Sequence, residues 1–286
     1  MLTAPFPKWS SHLAPSLGPL QPHHVQNLRV RAARATQVEI LVQDPPSHTV
    51  PAILHDPHST LARGAPCAVI LVSGAGGGVS GPGGIYPSLA TKLASLFNLP
   101  ILRLDYRRPA QNRYCVSDVY AAMDFISHAT RYPGINKFVL VGWSFGSAPI
   151  LTVASGPRRR QVLGVASIAG QTAQTDGIDS IAPTPVLIMH GTEDKVLSPS
   201  CSQTLYQRYG DSGQRTLKLF EGDNHGLTNN SDEVERLLLE FVLDCAGIVP
   251  DAQKKVAMGE NLTGNVEDEI QTMREGHDLE NGERLE

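Results

Sequence analysis

Long apolar runs are missing from this 286-residue chain. No stretch reaches the roughly 18 uninterrupted apolar residues of a membrane span, so no membrane-crossing helix is expected. Excess basic charge is missing too. With 24 Lys and Arg against 28 Asp and Glu, the net charge is −4, and nothing recommends nucleic acid as a partner. Cysteine is scarce. Cys67, Cys115, Cys201 and Cys245 show no C-x-x-C spacing, which argues against a zinc site and a disulfide framework and suits a reducing, cytoplasmic setting. Acidic residues are absent before Glu39, while Lys8, Arg29, Arg31 and Arg34 are present. Organellar transit peptides have such acid-poor starts. Against that reading, Pro5, Pro7, Pro15, Pro19 and Pro22 would interrupt an amphipathic targeting helix, so residues 1–26 are read as a proline-rich arm over the surface. No charged leader precedes an apolar core, so a secretory signal is not expected. No internal repeat is visible.

What is present is an alternation. Apolar, β-branched runs recur: VEILV from Val38, VPAIL from Val50, CAVILV from Cys67, PILRL from Pro100, KFVLV from Lys137, VLGVASI from Val162, PVLIM from Pro185 and TLKLF from Thr216. From Cys67 onward, segments with helical apolar spacing separate most of them. Strands alternating with helices predict a mostly parallel, doubly wound sheet of about seven to eight strands with helices on both faces. The first two runs, joined by a turn at Asp44-Pro45-Pro46-Ser47, predict an antiparallel edge pair. A final amphipathic helix carries Val234, Leu237, Leu238, Phe241, Val242 and Cys245 on one stripe. The α/β domain is therefore placed at residues 27–248. Residues 249–286 hold ten acidic and four basic residues from Asp251 onward and no aromatics. They predict an acidic, disordered tail, with at most a weak helix around Asn265 to Met273.

The chemistry gathers at Gly142-Trp143-Ser144-Phe145-Gly146, between the run from Lys137 and a small-residue helix. The pattern G-x-S-x-G between strand and helix is a nucleophile elbow, a sharp turn that stands a serine hydroxyl clear of the sheet. A side chain at Gly142 or Gly146 would collide with neighbouring strand or helix. A serine hydroxyl needs a base, and the base needs an orienting acid. In sheets of this class such residues belong at strand carboxyl ends, in the order Ser, acid, His. Asp194, after the run from Pro185, and His225, after the run from Thr216, meet both conditions. Glu193 and Asp223 compete for the acid's role, Asp176 and Asp179 are the fallback, and His190 is the competing histidine. The oxyanion hole needs two backbone N–H groups about 3 Å from the developing charge. Phe145 supplies one. Ala75, with Gly76 second, supplies the other from Ser73-Gly74-Ala75-Gly76-Gly77-Gly78. That loop has neither the phosphate-cradle pattern nor the dinucleotide fingerprint. Trp143 and Arg107, the latter after the run from Pro100, are candidate substrate contacts.

These motifs, with Leu104-Asp105-Tyr106-Arg107, His190-Gly191-Thr192-Glu193-Asp194 and Asp223-Asn224-His225-Gly226, resemble the α/β-hydrolase superfamily. The resemblance is to its compact, lidless branch near dienelactone-hydrolase-like serine hydrolases. It covers about 180 residues in order. It departs in placing serine where dienelactone hydrolases carry cysteine, and in lacking the His-Gly opening of many esterase hole loops. The resemblance implies a serine hydrolase of the carboxylic-ester type that acts on a small acyl substrate with neither cofactor nor metal. The alternative is a non-catalytic binding protein on the same fold. The connection from Ala169 to Pro185 is short and polar, too small for two apolar lid helices, so no cap domain is expected. The sequence is silent on oligomeric state.

Overall fold

The computed structural model describes residues 24–25, 28–29, 33–45, 47–57 and 65–262. The proline-rich arm through residue 23 and the weak helix expected around Asn265 to Met273 lie outside the described residues. A two-residue ribbon pairs β1 (His24–Val25) with β2 (Leu28–Arg29). An eight-stranded sheet holds β3 (Arg34–Val42), β4 (His48–Asp56), β5 (Ala68–Val72), β6 (Ile101–Leu104), β7 (Phe138–Trp143), β8 (Val162–Ile168), β9 (Val186–Gly191) and β10 (Arg215–Phe220). Its order is β10-β9-β8-β7-β5-β6-β4-β3. β5 through β10 run parallel, while β3 and β4 pair antiparallel and β4 joins β6 antiparallel.

Helices cover both faces: α1 (Tyr86–Phe97), α2 (Asn112–Ser127), α3 (Ser147–Ser155), α4 (Ser200–Tyr209) and α5 (Ser231–Ala246). Strand parity divides the core. Ala68, Ile70 and Val72 of β5 face one cluster with α2, α3 and α4. Val69 and Leu71 face the other, with α1 and α5. Both faces being buried accounts for the continuous β-branched runs. The chain passes from β5 to β6 on one side, then through α2 to β7 on the other. This reversal makes a switch point at the carboxyl ends of β5 and β7, the place where sheets of this class carry their ligands.

The C-terminal boundary differs from the expectation. The chain does not leave the domain at residue 249. Asp251 caps a further helix, α6 (Ala252–Met258), accepting from the Lys254 N–H at 2.8 Å. Ala257, Met258 and Leu262 are buried in the cluster with α1 and α5. The acidic composition hid three apolar residues, two at the end of this short helix and Leu262 just beyond it. The connection from Ala169 to Pro185 contains one short 3-10 turn (Asp176–Asp179). Ile178 and Ile181 are buried beneath it. No cap domain interrupts the described fold, and among the described residues no helix is long and apolar enough to cross a membrane.

Candidate active site

Ser144 opens a 3-10 turn (Ser144–Gly146) directly after β7. Its φ is +55°, a left-handed conformation that a non-glycine residue holds only when its surroundings enforce it. The flanking glycines show why they are glycine. A Cβ on Gly142 would lie 2.4 Å from the Gly146 carbonyl oxygen, and one on Gly146 would lie 2.6 Å from the Ser73 carbonyl oxygen. Strand, turn and helix interlock with no room for a methyl group. Phe145 follows Ser144, its N–H at the start of a helical segment where negative charge is favoured. Its buried ring meets Tyr106 edge-on at 5.9 Å.

His225 follows β10 and is 7% exposed. Its Nδ1 lies 2.7 Å from Asp194 Oδ2. Its backbone carbonyl accepts the Trp143 indole N–H at 3.1 Å, and the two rings pack at 5.5 Å. The residue before Ser144 thus ties the histidine loop to the elbow. The other ring nitrogen, Nε2, is buried and has no hydrogen-bond partner.

Asp194, after β9, has no solvent-exposed side-chain surface. Its Oδ1 accepts the Val196 and Leu197 N–H groups at 2.8 Å each. Its Oδ2 faces His225 and also His190 Nε2 at 3.0 Å. Burial alone would raise this carboxyl. The hydrogen bonds from His190, His225 and the Leu197 N–H outweigh burial and hold it well below the usual carboxylate range. The two loops close tightly because residue 191 is glycine. A Cβ there would lie 2.3 Å from the Asp223 carbonyl oxygen.

The competing acids stand elsewhere. Asp223 is buried and spans its own loop, its Oδ1 accepting from the Asn224 and Asn229 N–H groups and its Oδ2 from the Asn230 N–H and side-chain amide. It shapes the turn that carries His225. Glu193 is exposed. Asp176 and Asp179 pair with Arg208 at the surface.

The glycine loop lies at the carboxyl end of β5. The Gly77 N–H closes a turn on the Gly74 carbonyl at 3.1 Å, placing Ala75, exposed, and Gly76, half-buried, at the turn's tip. Asp105, after β6, clamps this loop. Its Oδ1 accepts the Gly78 N–H at 2.7 Å and the Tyr106 N–H at 2.7 Å. Sequence reasoning missed Asp105 and His190 as organisers. Their position one residue beyond β6 and within the last residues of β9 was the available signal.

Two candidate substrate contacts have other partners in the fold. Trp143 is buried in the cluster with α1 and α5, and its indole N–H is committed to His225. Arg107 makes a two-pronged pair with Asp44, both bonds 2.8 Å. It also meets His48 Nδ1 at 2.9 Å and stacks on Tyr114 at 4.5 Å. It ties the β3–β4 turn to the start of α2 and is consumed in structure. The cysteines offer no rival nucleophile near neutral pH at three positions. Burial pushes the Cys67 and Cys245 thiols up to about 12 and the Cys115 thiol higher still.

Comparison with known proteins places this geometry in context. Residues 166–232, which include Asp194 and His225, match the family model described as serine aminopeptidase, S33. No curated protein matches the chain. Among solved structures, Est1E from Butyrivibrio proteoclasticus aligns with a TM-score of 0.60 at 16% identity, covering 74% of this chain and 99% of that one. A dienelactone hydrolase from Anabaena variabilis aligns at 0.61 and 18% identity, covering 74% and 98%. A lidless α/β serine hydrolase from Xanthomonas campestris aligns at 0.56 and 17%, covering 76% and 97%. The chain has the α/β-hydrolase fold, similar to that of compact, lidless serine hydrolases and esterases.

Proposed function

We propose that the chain is a serine hydrolase that cleaves an ester, thioester or similar acyl bond of a small substrate through an acyl-enzyme. The observation that carries this reading is the His225–Asp194 pair. Nδ1 is fixed on a buried carboxylate at 2.7 Å, and Nε2 is left without a partner beside the elbow. A purely structural histidine would spend both nitrogens.

In this reading the Ser144 Oγ attacks the carbonyl carbon while His225 Nε2 takes its proton. Asp194 keeps the imidazole in the Nδ1–H tautomer and offsets the imidazolium charge. The Phe145 N–H and that of Ala75 or Gly76 receive the oxyanion. His225 returns the proton to the leaving group, which departs. A water then gives one proton to His225 and its hydroxyl to the acyl carbon; the bond from that carbon to Ser144 Oγ breaks, His225 returns the proton to Oγ, and the acid is released.

The uncapped connection from Ala169 to Pro185 favours a shallow site. A long acyl chain gains about 0.8 kcal/mol per CH₂ only where protein buries it. Short acyl groups, about C2 to C6, are therefore the expected substrates. The test is labelling by a fluorophosphonate probe with the adduct mapped by mass spectrometry, followed by kcat/KM across p-nitrophenyl esters of increasing length. Label on Ser144 and a short-chain optimum are expected. An unlabelled protein favours the non-catalytic alternative, and an optimum at C12 or longer sinks the shallow-site reading.

A further inference from the structure

We propose that His190 and Ser202 form a positioning pair that holds Asp194 in register for His225. The proposal rests on the serine-hydrolase reading above and names two more residues of that machinery.

His190 is the penultimate residue of β9, four residues before Asp194, and is fully buried. Its Nε2 lies 2.9 Å from the Leu197 carbonyl oxygen and 3.0 Å from Asp194 Oδ2. A carbonyl can only accept, so Nε2 carries a proton. The same proton faces Asp194, giving a shared bond to both oxygens. The opposite nitrogen, Nδ1, lies 2.7 Å from the hydroxyl of Ser202, a fully buried residue in the first turn of α4. With Nδ1 accepting the hydroxyl proton, Ser202 locks the ring in the Nε2–H tautomer. The chain of contacts runs Ser202, His190, Asp194, His225, with each member buried.

The consequence falls on the acid. Asp194 receives four N–H groups: two backbone amides on Oδ1 and two imidazoles on Oδ2. The amides alone leave the carboxylate free to swing about the bond that carries it. The His190 contact gives the same oxygen a second partner beside His225, which restrains that swing and keeps Oδ2 at His225 Nδ1. Leu197 gives a second anchor. Its N–H serves Oδ1 and its carbonyl serves His190, so one residue fixes acid and histidine together. Misplacing a catalytic group by about 1 Å costs on the order of 10²-fold in rate. Polar networks of this kind reward full satisfaction and penalise a single deletion.

The test compares His190→Met, His190→Gln and Ser202→Ala with the wild type. Readouts are the rate of fluorophosphonate labelling, and kcat and KM on p-nitrophenyl acetate. Methionine keeps apolar bulk without a donor, and labelling and kcat should fall about 10²-fold with KM little changed. Glutamine keeps an N–H near Nε2 and should recover most of the loss. Ser202→Ala should slow labelling about tenfold by freeing the tautomer. Equal labelling rates in wild type and His190→Met overturn the proposal, as does failure of glutamine to rescue a folded protein. If His190→Met does not fold, an unchanged rate in Ser202→Ala is the overturning result. A wild type that takes no label at Ser144 removes the hydrolase reading itself and this proposal with it.

Discussion

Asp194→Asn changes one atom's identity and almost no volume, yet the structure assigns it two separate costs. The carboxylate has two oxygens and four N–H donors around it. Asparagine keeps one oxygen and presents an NH₂ to whichever pair of donors it abandons. If the amide turns its NH₂ toward the imidazoles, His225 can respond by moving its proton to Nε2 and accepting at Nδ1. It then holds the wrong tautomer for taking a proton from Ser144, and kcat should fall by about 10² to 10⁴. His190 cannot respond in the same way, because its Nε2 proton also serves the Leu197 carbonyl. One hydrogen of the buried asparagine NH₂ then faces the His190 N–H with no acceptor, at about 1–3 kcal/mol. For a domain of this size that is about 2–12 °C in Tm, at about 2–4 °C per kcal/mol. The sign with pH follows from the lowered carboxyl of Asp194. A depressed acid contributes stability that is present above its unfolded value, about 3.9, and is lost as pH falls toward the folded value. The Tm gap between wild type and variant should therefore be full near neutrality and narrow below about pH 4. The assays are calorimetry from pH 3 to 8 and steady-state hydrolysis of a short ester. Equal Tm at pH 7 together with kcat within a factor of ten of wild type would refute the reasoning.

Ser144→Ala should remove turnover and probe labelling, a loss of about 10⁴ to 10⁶. Ser144→Gly should be equally inactive but more stable, by roughly 1 kcal/mol, because glycine holds φ +55° without strain; a lowered Tm would contradict the strained-elbow account. Truncation after Pro250 removes α6 and exposes the surface that Met258 and Leu262 cover, each worth about 1.5–3 kcal/mol when fully buried. After the entropy of ordering the segment is offset, several degrees of Tm should still be lost, and an unchanged melting curve would show that α6 contributes nothing. Arg107→Ala should lower Tm while leaving KM for a short neutral ester unchanged, since the guanidinium is bound to Asp44; a large rise in KM would return Arg107 to the substrate.

The sheet was legible because every strand of it is an apolar run bounded by turn residues. VLGVASI is β8 residue for residue, and the other seven differ only at their ends. Fully buried parallel strands leave that signature whatever their neighbours are. The pairing of Asp194 with His225 was legible for a different reason. Topology restricts chemistry to strand carboxyl ends, and few acids and histidines stand there. Side-chain direction was not legible. Trp143 and Arg107 sit beside the elbow and at a strand end, where substrate contacts belong, yet one points into the core and the other into an ion-pair network. Nothing in their spacing separates those outcomes, because the partners Asp44, His48 and Tyr114 come from other elements.

The same blindness concealed what holds the site together. Asp105, His190 and Asp223 each lie within three residues of a strand end, and each spends its side chain on the backbone or side chain of its own or a neighbouring loop. A strained serine at the elbow destabilises the region locally, and strain of this kind persists only where surrounding contacts over-determine the backbone. Three polar side chains, Asp105 half-buried and His190 and Asp223 fully buried, each bridging two or more groups, supply that constraint at the glycine loop, the acid and the histidine turn in turn. Removing any one should therefore disturb geometry more than stability. A variant such as Asp105→Asn keeps one acceptor for the Gly78 and Tyr106 N–H groups. It should retain a near-native Tm while losing rate through a misaligned hole. Parallel measurement of Tm and of kcat for a short ester decides the matter: a Tm loss of several degrees with kcat intact would show that Asp105 serves the fold alone.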